Sequence, residues 1–152
     1  MARSNNKIRV FIADNHFVVR QGLKHILGQS HDMEMVGEAE DGYQVLEHIK
    51  DLFVNVILMD IEMPGENGWE VMIQLKSLYP KLNILMLSIF HEYHYGLRFI
   101  KAGASGCLAK SSAPDQLCQA IRTVASGNKF ISSLLADKLI EGLPPQYNDI
   151  PS

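Results

Sequence analysis

Short apolar runs alternate with helix-length segments along this chain. Five runs of strand length occupy residues 8–13, 33–39, 56–60, 84–87 and 106–109. Runs this short, with little polar alternation, are typical of strands buried on both faces of a parallel sheet. Because each connection is long enough for a helix, the pattern predicts a doubly wound α/β fold, in which a five-stranded parallel sheet carries helices on both faces.

The connections carry apolar residues at helical spacing. Gly28 suits the C-terminus of the first helix, and Asn67 suits the N-cap of the third. The buried stripe predicted for the third helix is Val71, Met72, Leu75 and Leu78. The segment 91–102 is predicted to be helical although Gly96 interrupts it, and Pro114 opens a further helix at a first-turn position.

Polar residues that can take part in chemistry stand at the ends of four of the runs. They are Asp14 and Asn15, Asp60, Ser88, and Lys110. The carboxyl ends of parallel strands share one edge of the sheet, which is where ligands bind in open α/β folds. Grouped carboxylates repel one another, so at least one of their pKa values should rise unless a cation lies between them.

These residue types together suit phosphoryl chemistry. A carboxylate such as Asp60 can act as a nucleophile toward phosphorus. Oxygen ligands suit Mg²⁺, and a magnesium ion with the Lys110 ammonium would neutralise charge on a transferring phosphoryl group. The hydroxyl of Ser88 can donate a hydrogen bond to a phosphate oxygen. Taken alone, Asp60 could equally be an Asp that caps the turn at Pro64 and Gly65.

Composition limits the classes of function. The chain has 152 residues, which suits one domain, with 47% hydrophobic and 20% charged residues. Its net charge of −3 argues against a surface built for nucleic acid. No apolar run approaches the roughly 18 residues that span a bilayer, and residues 1–7 lack a signal core, so we expect a cytoplasmic protein without a membrane span. Cys107 and Cys118 are expected to be buried, reduced thiols.

Four stretches of the chain together resemble the receiver domain of two-component response regulators. They are residues 8–16, 60–65, 84–88 and, above all, 101–106 followed by Lys110. The chain is most similar to the NarL/FixJ subfamily, whose receivers precede a LuxR-type helix-turn-helix domain. The resemblance covers about residues 7–127 and implies the flavodoxin-like receiver fold with strand order 2-1-3-4-5.

The resemblance assigns a role to each residue at the strand ends. It makes Asp60 the phosphoacceptor, Ser88 the switch residue that follows the phosphate, and Lys110 the lysine that contacts it. The Mg²⁺ site that it implies consists of Asp14, Asn15, Asp60 and the backbone carbonyl of Glu62. The chain would then be a phosphoacceptor module rather than an enzyme, with at most self-phosphorylation from small donors and slow autodephosphorylation.

Three departures from the family pattern affect this expectation. Asn15 stands where the family usually has a second acid, and it keeps a ligand oxygen but loses a charge. Cys107 stands at the switch position that usually carries Tyr or Phe, so the usual rotation of an aromatic ring is missing. Ile89 follows Ser88 where many receivers carry a smaller residue, and its size would narrow access to Asp60. An alternative therefore stays open: a degenerate receiver that acts as a phosphorylation-independent interaction or dimerisation module.

The partners implied are a sensor histidine kinase, a second copy of the chain on activation, and DNA only through a C-terminal domain that this chain lacks. We expect a loose leader at residues 1–6, the receiver at 7–127, an additional helix at 128–142 and a linker or tail at 143–152. Paired prolines in the last segment favour a linker. A single-domain receiver whose last helix packs on the sheet or on another protomer is the alternative.

Two other classes with related chemistry fit the sequence less well. A flavodoxin needs a phosphate-cradling loop after the first strand, but Asp14 there would repel an anion. A phosphatase with an Asp nucleophile would need a second Asp two residues after Asp60, where Glu62 stands. His16 is interpreted as a helix-start residue rather than a ligand. The aromatic residues interpreted as packing or helix-face residues rather than a cofactor site are Trp69, Tyr93, Tyr95 and Phe99.

Overall fold

Strands and helices alternate along the chain in the order that the sequence predicts. The computed structural model describes residues 6–63, 68–88 and 92–131, with the backbone alone for 92–96. The strands are β1 (Ile8–Ala13), β2 (Met33–Ala39), β3 (Val56–Asp60), β4 (Asn83–Ser88) and β5 (Gly106–Ala109). The helices are α1 (Phe17–Gly28), α2 (Gly42–Ile49), α3 (Gly68–Leu78), α4 (Glu92–Lys101) and α5 (Pro114–Ala125).

The five strands lie parallel in one sheet with the order β2-β1-β3-β4-β5, which confirms the predicted fold. The chain moves one way from β1 to β2 and the other way from β3 to β5, so the direction of winding reverses between β1 and β3. Ala13 pairs with Met59 across these two strands. The residues that follow them, Asp14 and Asp60, therefore leave the sheet side by side where doubly wound folds bind ligands.

Alternate side chains of the strands fill two cores, one on each face of the sheet. Phe11 and Met59 lie in the core beneath α2, α3 and α4. Val10 and Leu58 lie in the core beneath α1 and α5. All four side chains are completely buried. Packing on both faces thus fixes the positions at which β1 and β3 deliver their last residues.

One residue predicted for the buried stripe of α3 is exposed. The other three stripe residues are fully buried, but Leu78 is 61% exposed, so this part of the prediction is wrong. Leu78 is the last residue of the helix. The following residue, Tyr79, packs against the core instead, and its N–H donates to the Leu75 carbonyl at 2.7 Å. The core contact at the end of α3 therefore comes from the residue beyond the helix.

The other helix boundaries agree with the sequence where the structure describes them. α1 ends at Gly28, the segment 91–102 contains α4, and α5 begins at Pro114. Several predicted features lie outside the described residues. They are most of the leader at 1–5, the turn at Pro64 and Gly65, the N-cap Asn67, the neighbour Ile89, and the helix and tail from 132 onward.

The chain returns to the edge of β5 after α5. The N–H of Phe130 donates to the Ser105 carbonyl at 3.0 Å, and the N–H of Cys107 donates to the Phe130 carbonyl at 3.4 Å. Gly106 lies between these contacts, and a side chain there would come within 2.6 Å of the Phe130 carbonyl oxygen. Phe130 is therefore an extended part of the sheet edge, beyond the limit near residue 127 that the resemblance suggests.

Candidate functional site

The polar residues predicted at the strand ends all lie at one edge of the sheet. Asp14 follows β1, Asp60 ends β3, Ser88 ends β4 and Lys110 follows β5. A cavity of about 300 Å³ opens at this edge. The residues that line it are Asn15, His16, Asp60, Glu62, Met63, Ser88 and Lys110. The fold therefore brings together side chains that are far apart in sequence, as the sequence predicts.

Two buried carboxylates share the ammonium group of Lys110. Its Nζ lies 2.8 Å from Asp14 Oδ2 and 3.1 Å from Asp60 Oδ2. The side chain of Asp14 is completely buried and that of Asp60 is 4% exposed. The predicted cation between the carboxylates is thus a lysine of the chain itself, but one positive charge faces two negative ones.

Burial and charge together raise the pKa of Asp60. Burial removes water from its carboxylate and is the largest cause, and the negative charge of Asp14 is the second. A hydrogen bond from the Glu62 backbone and the charge of Lys110 oppose the shift without cancelling it. The ionised form of Asp60 is consequently held in the protein at a free-energy cost, which a further cation at this edge would relieve.

Backbone groups fix how the two carboxylates point. The N–H of His16 donates to Asp14 Oδ1 at 2.8 Å, and the N–H of Glu62 donates to Asp60 Oδ1 at 3.0 Å. The N–H of Lys110 donates to the Ser88 carbonyl at 2.8 Å and ties the ends of β4 and β5 together. These contacts leave the Oδ2 atoms of both carboxylates directed toward the Lys110 ammonium.

Three buried oxygens at this edge are incompletely satisfied in the described part of the chain. Asp14 Oδ2 and Asp60 Oδ2 share the one ammonium of Lys110, and Asn15 Oδ1 has no hydrogen-bond partner. Carboxylate and amide oxygens are the ligands that Mg²⁺ prefers, and it retains water on its remaining positions. The residues present therefore fit a magnesium ion, which the family resemblance implies.

The ring of His16 points into the site, which the sequence interpretation missed. As expected, it precedes α1 and is the N-cap residue of that helix. Its ring, however, turns toward the carboxylates, with Nδ1 3.1 Å from Asp14 Oδ1 and 4.0 Å from Asp60 Oδ2. The signal in the sequence was its spacing, because a residue two positions after Asp14 that starts a helix stays at the edge of the sheet.

The two positions assigned to the switch differ in their surroundings. Ser88 is 4% exposed and lines the cavity beside Asp60. Cys107 is buried in the core on the α4 side of the sheet. The aromatic residues of this region pack as predicted where their side chains are described, since the rings of Trp69 and Phe99 meet edge to face at 5.2 Å. The side chains of Tyr93 and Tyr95 lie outside the description.

The thiols agree with the sequence interpretation. Cys107 and Cys118 are both buried, and neither forms a disulfide bond in the described part of the chain. Among the described residues, no helix combines the length and the apolar character that crossing a bilayer requires.

The chain belongs to the response regulator receiver domain family, which matches residues 10–122. The transcriptional regulatory protein DegU of Brevibacillus brevis is 38% identical to it over 138 residues. That match covers 91% of this chain and 58% of DegU, so the chain spans less than two thirds of this relative's length. The chain is therefore a receiver domain of a response regulator, which is a signalling module rather than a classical enzyme.

Solved receivers have the same fold. A LuxR-family response regulator from Aurantimonas sp. SI85-9A1 matches with a TM-score of 0.81 at 27% identity, over 89% of this chain and 96% of that one. The isolated receiver domain of RcsB from Salmonella enterica serovar Typhimurium, solved with the phosphomimetic BeF₃⁻, has a TM-score of 0.78 at 27% identity, with 87% and 98% covered. RcsB has also been solved as two dimers bound to two parallel DNAs, with a TM-score of 0.79 at 27% identity over 95% of this chain and 74% of that one. The predicted resemblance to LuxR-type receivers is confirmed.

Proposed function

We propose that Asp60 accepts a phosphoryl group from a sensor histidine kinase, or from a small phosphodonor, with Mg²⁺ bound at the same edge. The observation that carries this proposal is the position of Asp60. Its carboxylate lines the cavity, and its Oδ2 lies 3.1 Å from Lys110 Nζ, which is the ammonium that a transferring phosphoryl group needs. The fit of buried oxygens to a divalent cation supports the same assignment.

The transfer follows from the arrangement of the side chains. A carboxylate oxygen of Asp60 attacks phosphorus, the bond from phosphorus to the donor nitrogen or oxygen breaks, and an acyl phosphate forms on Asp60. The Lys110 ammonium neutralises charge on the phosphoryl oxygens, and the Ser88 hydroxyl donates a hydrogen bond to one of them. A bound Mg²⁺ would supply further neutralisation and would be held by the four ligands that the resemblance implies. They are Asp14, Asn15, Asp60 and the carbonyl of Glu62.

The test is phosphorylation of the full chain by acetyl phosphate with Mg²⁺, followed by its intact mass. The wild type should gain one phosphoryl group, and Asp60→Asn should gain none. Asp32→Asn is the matched control, because Asp32 is a paired carboxylate held by Arg122 at 2.7 Å on the opposite side of the fold. Equal labelling of Asp60→Asn would refute the assignment of Asp60.

The output of this module is a change around Ser88 and α4. Phosphorylation adds a charge of about −1.5 to −2, and recruitment of the Ser88 hydroxyl would shift the end of β4. Cys107 has no aromatic ring that could rotate on phosphorylation. We therefore expect the conformational change to occur in residues 88–101. Hydrogen exchange with and without BeF₃⁻ should differ in this segment, and identical exchange would contradict this output.

We further place the module in a transcription regulator. DegU, which is named a transcriptional regulatory protein, extends beyond the part that this chain matches. Dimerisation on activation and DNA binding through an attached domain are the outputs we expect, in the cytoplasm where reduced thiols such as Cys107 are usual. The chain of residues 1–152 should not bind DNA tightly, because its net charge of −3 offers little phosphate neutralisation.

A phosphorylation-independent module is the second candidate. Asn15 lowers the charge of the metal site, and Cys107 removes the usual aromatic switch. This candidate predicts that the wild type stays unlabelled at saturating Mg²⁺ and acetyl phosphate, and that its state of association is the same with and without BeF₃⁻. The labelling experiment therefore separates the two candidates directly.

A further inference from the structure

The ring of His16 faces the same point as the two buried carboxylates. Its Nδ1 lies 3.1 Å from Asp14 Oδ1 and 4.0 Å from Asp60 Oδ2. Ligand atoms of all three residues lie within 4.8 Å of one another. Two carboxylate oxygens and one imidazole nitrogen therefore surround a common position at the edge of the sheet.

The ammonium of Lys110 marks that position. Its Nζ lies 2.8 Å from Asp14 Oδ2, 3.1 Å from Asp60 Oδ2 and 3.4 Å from His16 Nδ1. A cationic group thus already touches each of the three residues.

The spacing of the ligand atoms suits one octahedral ion. With ligands about 2.1 Å from such an ion, neighbouring ligands lie about 3.0 Å apart and opposite ones about 4.2 Å apart. The separation of His16 Nδ1 from Asp14 Oδ1, 3.1 Å, matches neighbours. Its separation from Asp60 Oδ2, 4.0 Å, is close to the value for opposite positions. Small movements of these side chains would therefore complete the coordination.

A second observation also points to a ligand here. Asp14 and Asp60 are more than nine-tenths buried, and their Oδ2 atoms share the single ammonium of Lys110, which leaves one negative charge over. The buried Oδ1 of Asn15 beside them has no hydrogen-bond partner among the described residues. The chemistry of the donors indicates which cation would satisfy them. Imidazole is a good ligand for first-row transition ions, whereas Mg²⁺ takes oxygen ligands and water. Asn15 in place of an acid further weakens the attraction for a hard ion that is held mainly by charge.

We propose that His16 Nδ1 is a ligand of the divalent cation at this edge, and that the site therefore favours a transition cation such as Mn²⁺ over Mg²⁺. The proposal rests on the proposed function, because it concerns the same edge of the sheet. It adds a ligand, and a selectivity, that the oxygen-only site does not have. The side chain of His16 is 57% exposed, so a cation bound at its Nδ1 would leave part of the ring in contact with solvent.

The test is calorimetric titration of the full chain with Mg²⁺ and with Mn²⁺. His16→Ala should weaken Mn²⁺ binding by roughly tenfold or more while Mg²⁺ binding changes by less than about twofold. His25→Ala is the matched control, since His25 lies in the last turn of the same helix, and it should change neither affinity. His16→Gln, whose side chain offers an amide oxygen, should lose the preference for Mn²⁺ in the same way, so a folding defect of one variant does not hide the result.

Pulsed electron paramagnetic resonance of the Mn²⁺ complex gives a direct readout of ligation. The wild type and His25→Ala should show coupling of the ion to an imidazole nitrogen, and His16→Ala should lose it. Absence of that coupling in the wild type, or equal losses of Mg²⁺ and Mn²⁺ affinity in His16→Ala, would overturn the proposal. Labelling of Asp60 is measured separately with Mg²⁺, so failure of the phosphoacceptor assignment and failure of the His16 assignment remain distinguishable.

Discussion

Two clusters of charged side chains in this protein are balanced in opposite ways. On the surface, Glu38 accepts from Lys24 at 2.7 Å and from Arg20 at 3.0 Å, so one carboxylate has two cations. At the carboxyl edge of the sheet, Asp14 and Asp60 share the ammonium of Lys110. The hydrogen bond from Lys24 is the largest cause that lowers the pKa of Glu38, whereas burial and the charge of Asp14 raise the pKa of Asp60.

The difference separates a stabilising cluster from a functional one. The Glu38 cluster is partly exposed, and its ion pairs contribute modestly to folding. The edge cluster is buried and carries an uncompensated negative charge, which works against folding in the metal-free protein. Proteins retain such a buried charge at binding or catalytic sites. Here the excess negative charge can attract a cation, and the carboxylate can accept a phosphoryl group.

The largest effect should come from removing the shared cation. Lys110→Ala leaves two buried carboxylates facing each other and should lower the free energy of unfolding by roughly 2–3 kcal/mol in metal-free buffer. Lys24→Ala, the matched change in the surface cluster, should cost less than about 1 kcal/mol. Denaturant unfolding measures both. Equal losses in the free energy of unfolding would show that Lys110 interacts with its carboxylates no more strongly than Lys24 does with Glu38.

Removing one carboxylate from each cluster should have opposite signs. Asp60→Asn relieves the repulsion from Asp14 and should raise the free energy of unfolding by about 1–2 kcal/mol at neutral pH without metal. Glu38→Gln removes a favourable partner and should lower it by less than about 1 kcal/mol. A loss of stability in Asp60→Asn would contradict the imbalance of charge at the edge.

Restoring a charge beside the cluster should strengthen the metal site. Asn15→Asp adds a carboxylate where a buried amide oxygen already lines the cavity, and it should tighten Mg²⁺ binding by on the order of 1 kcal/mol. The same variant should be less stable than the wild type without metal, because it adds a third negative charge. Calorimetric titration and unfolding with and without Mg²⁺ measure the two effects, and unchanged or weaker binding would contradict the metal assignment.

Acid should diminish both carboxylate effects, but for opposite reasons. Since the folded-state pKa of Asp60 is raised above 3.8, its contribution favours folding below that value and is lost as the pH rises through the folded-state pKa. The gain in Asp60→Asn should therefore shrink on acidification. The pKa of Glu38 is lowered from 4.5, so its contribution is present above that value and is lost as the pH falls. Unfolding curves across this acidic range check both trends, and a gain in Asp60→Asn that grows toward acid would contradict the raised pKa.

The fold and most of the site could be predicted because they depend on local patterns. Apolar runs with helix-length connections determine a parallel sheet, and a parallel sheet places Asp14, Asp60 and Lys110 at one edge. The bond from Phe130 to β5 and the ring orientation of His16 could not be predicted in this way. These two features depend on contacts that form only when the chain has packed. The periodicity of apolar residues carries no information about such contacts.

The exposure of Leu78 has a similar cause. Helical spacing places it in the stripe of α3, but spacing alone does not say where the helix ends relative to the core. Burial at the end of a helix depends on the residue that follows, and here Tyr79 occupies the contact. In α3, helical spacing therefore predicted the buried interior of the helix correctly but not the exposure of its last residue.

The position of the phosphoryl group after transfer tests the central claim most directly. Borohydride reduction of a phosphorylated aspartate yields homoserine, so peptide mass spectrometry of the reduced chain identifies the acceptor. We expect homoserine at residue 60 in the wild type treated with acetyl phosphate and Mg²⁺, and none when either is omitted. Homoserine at another aspartate, or a stable phosphate on Ser88 with residue 60 unmodified, would contradict the assignment of Asp60 as the phosphoacceptor.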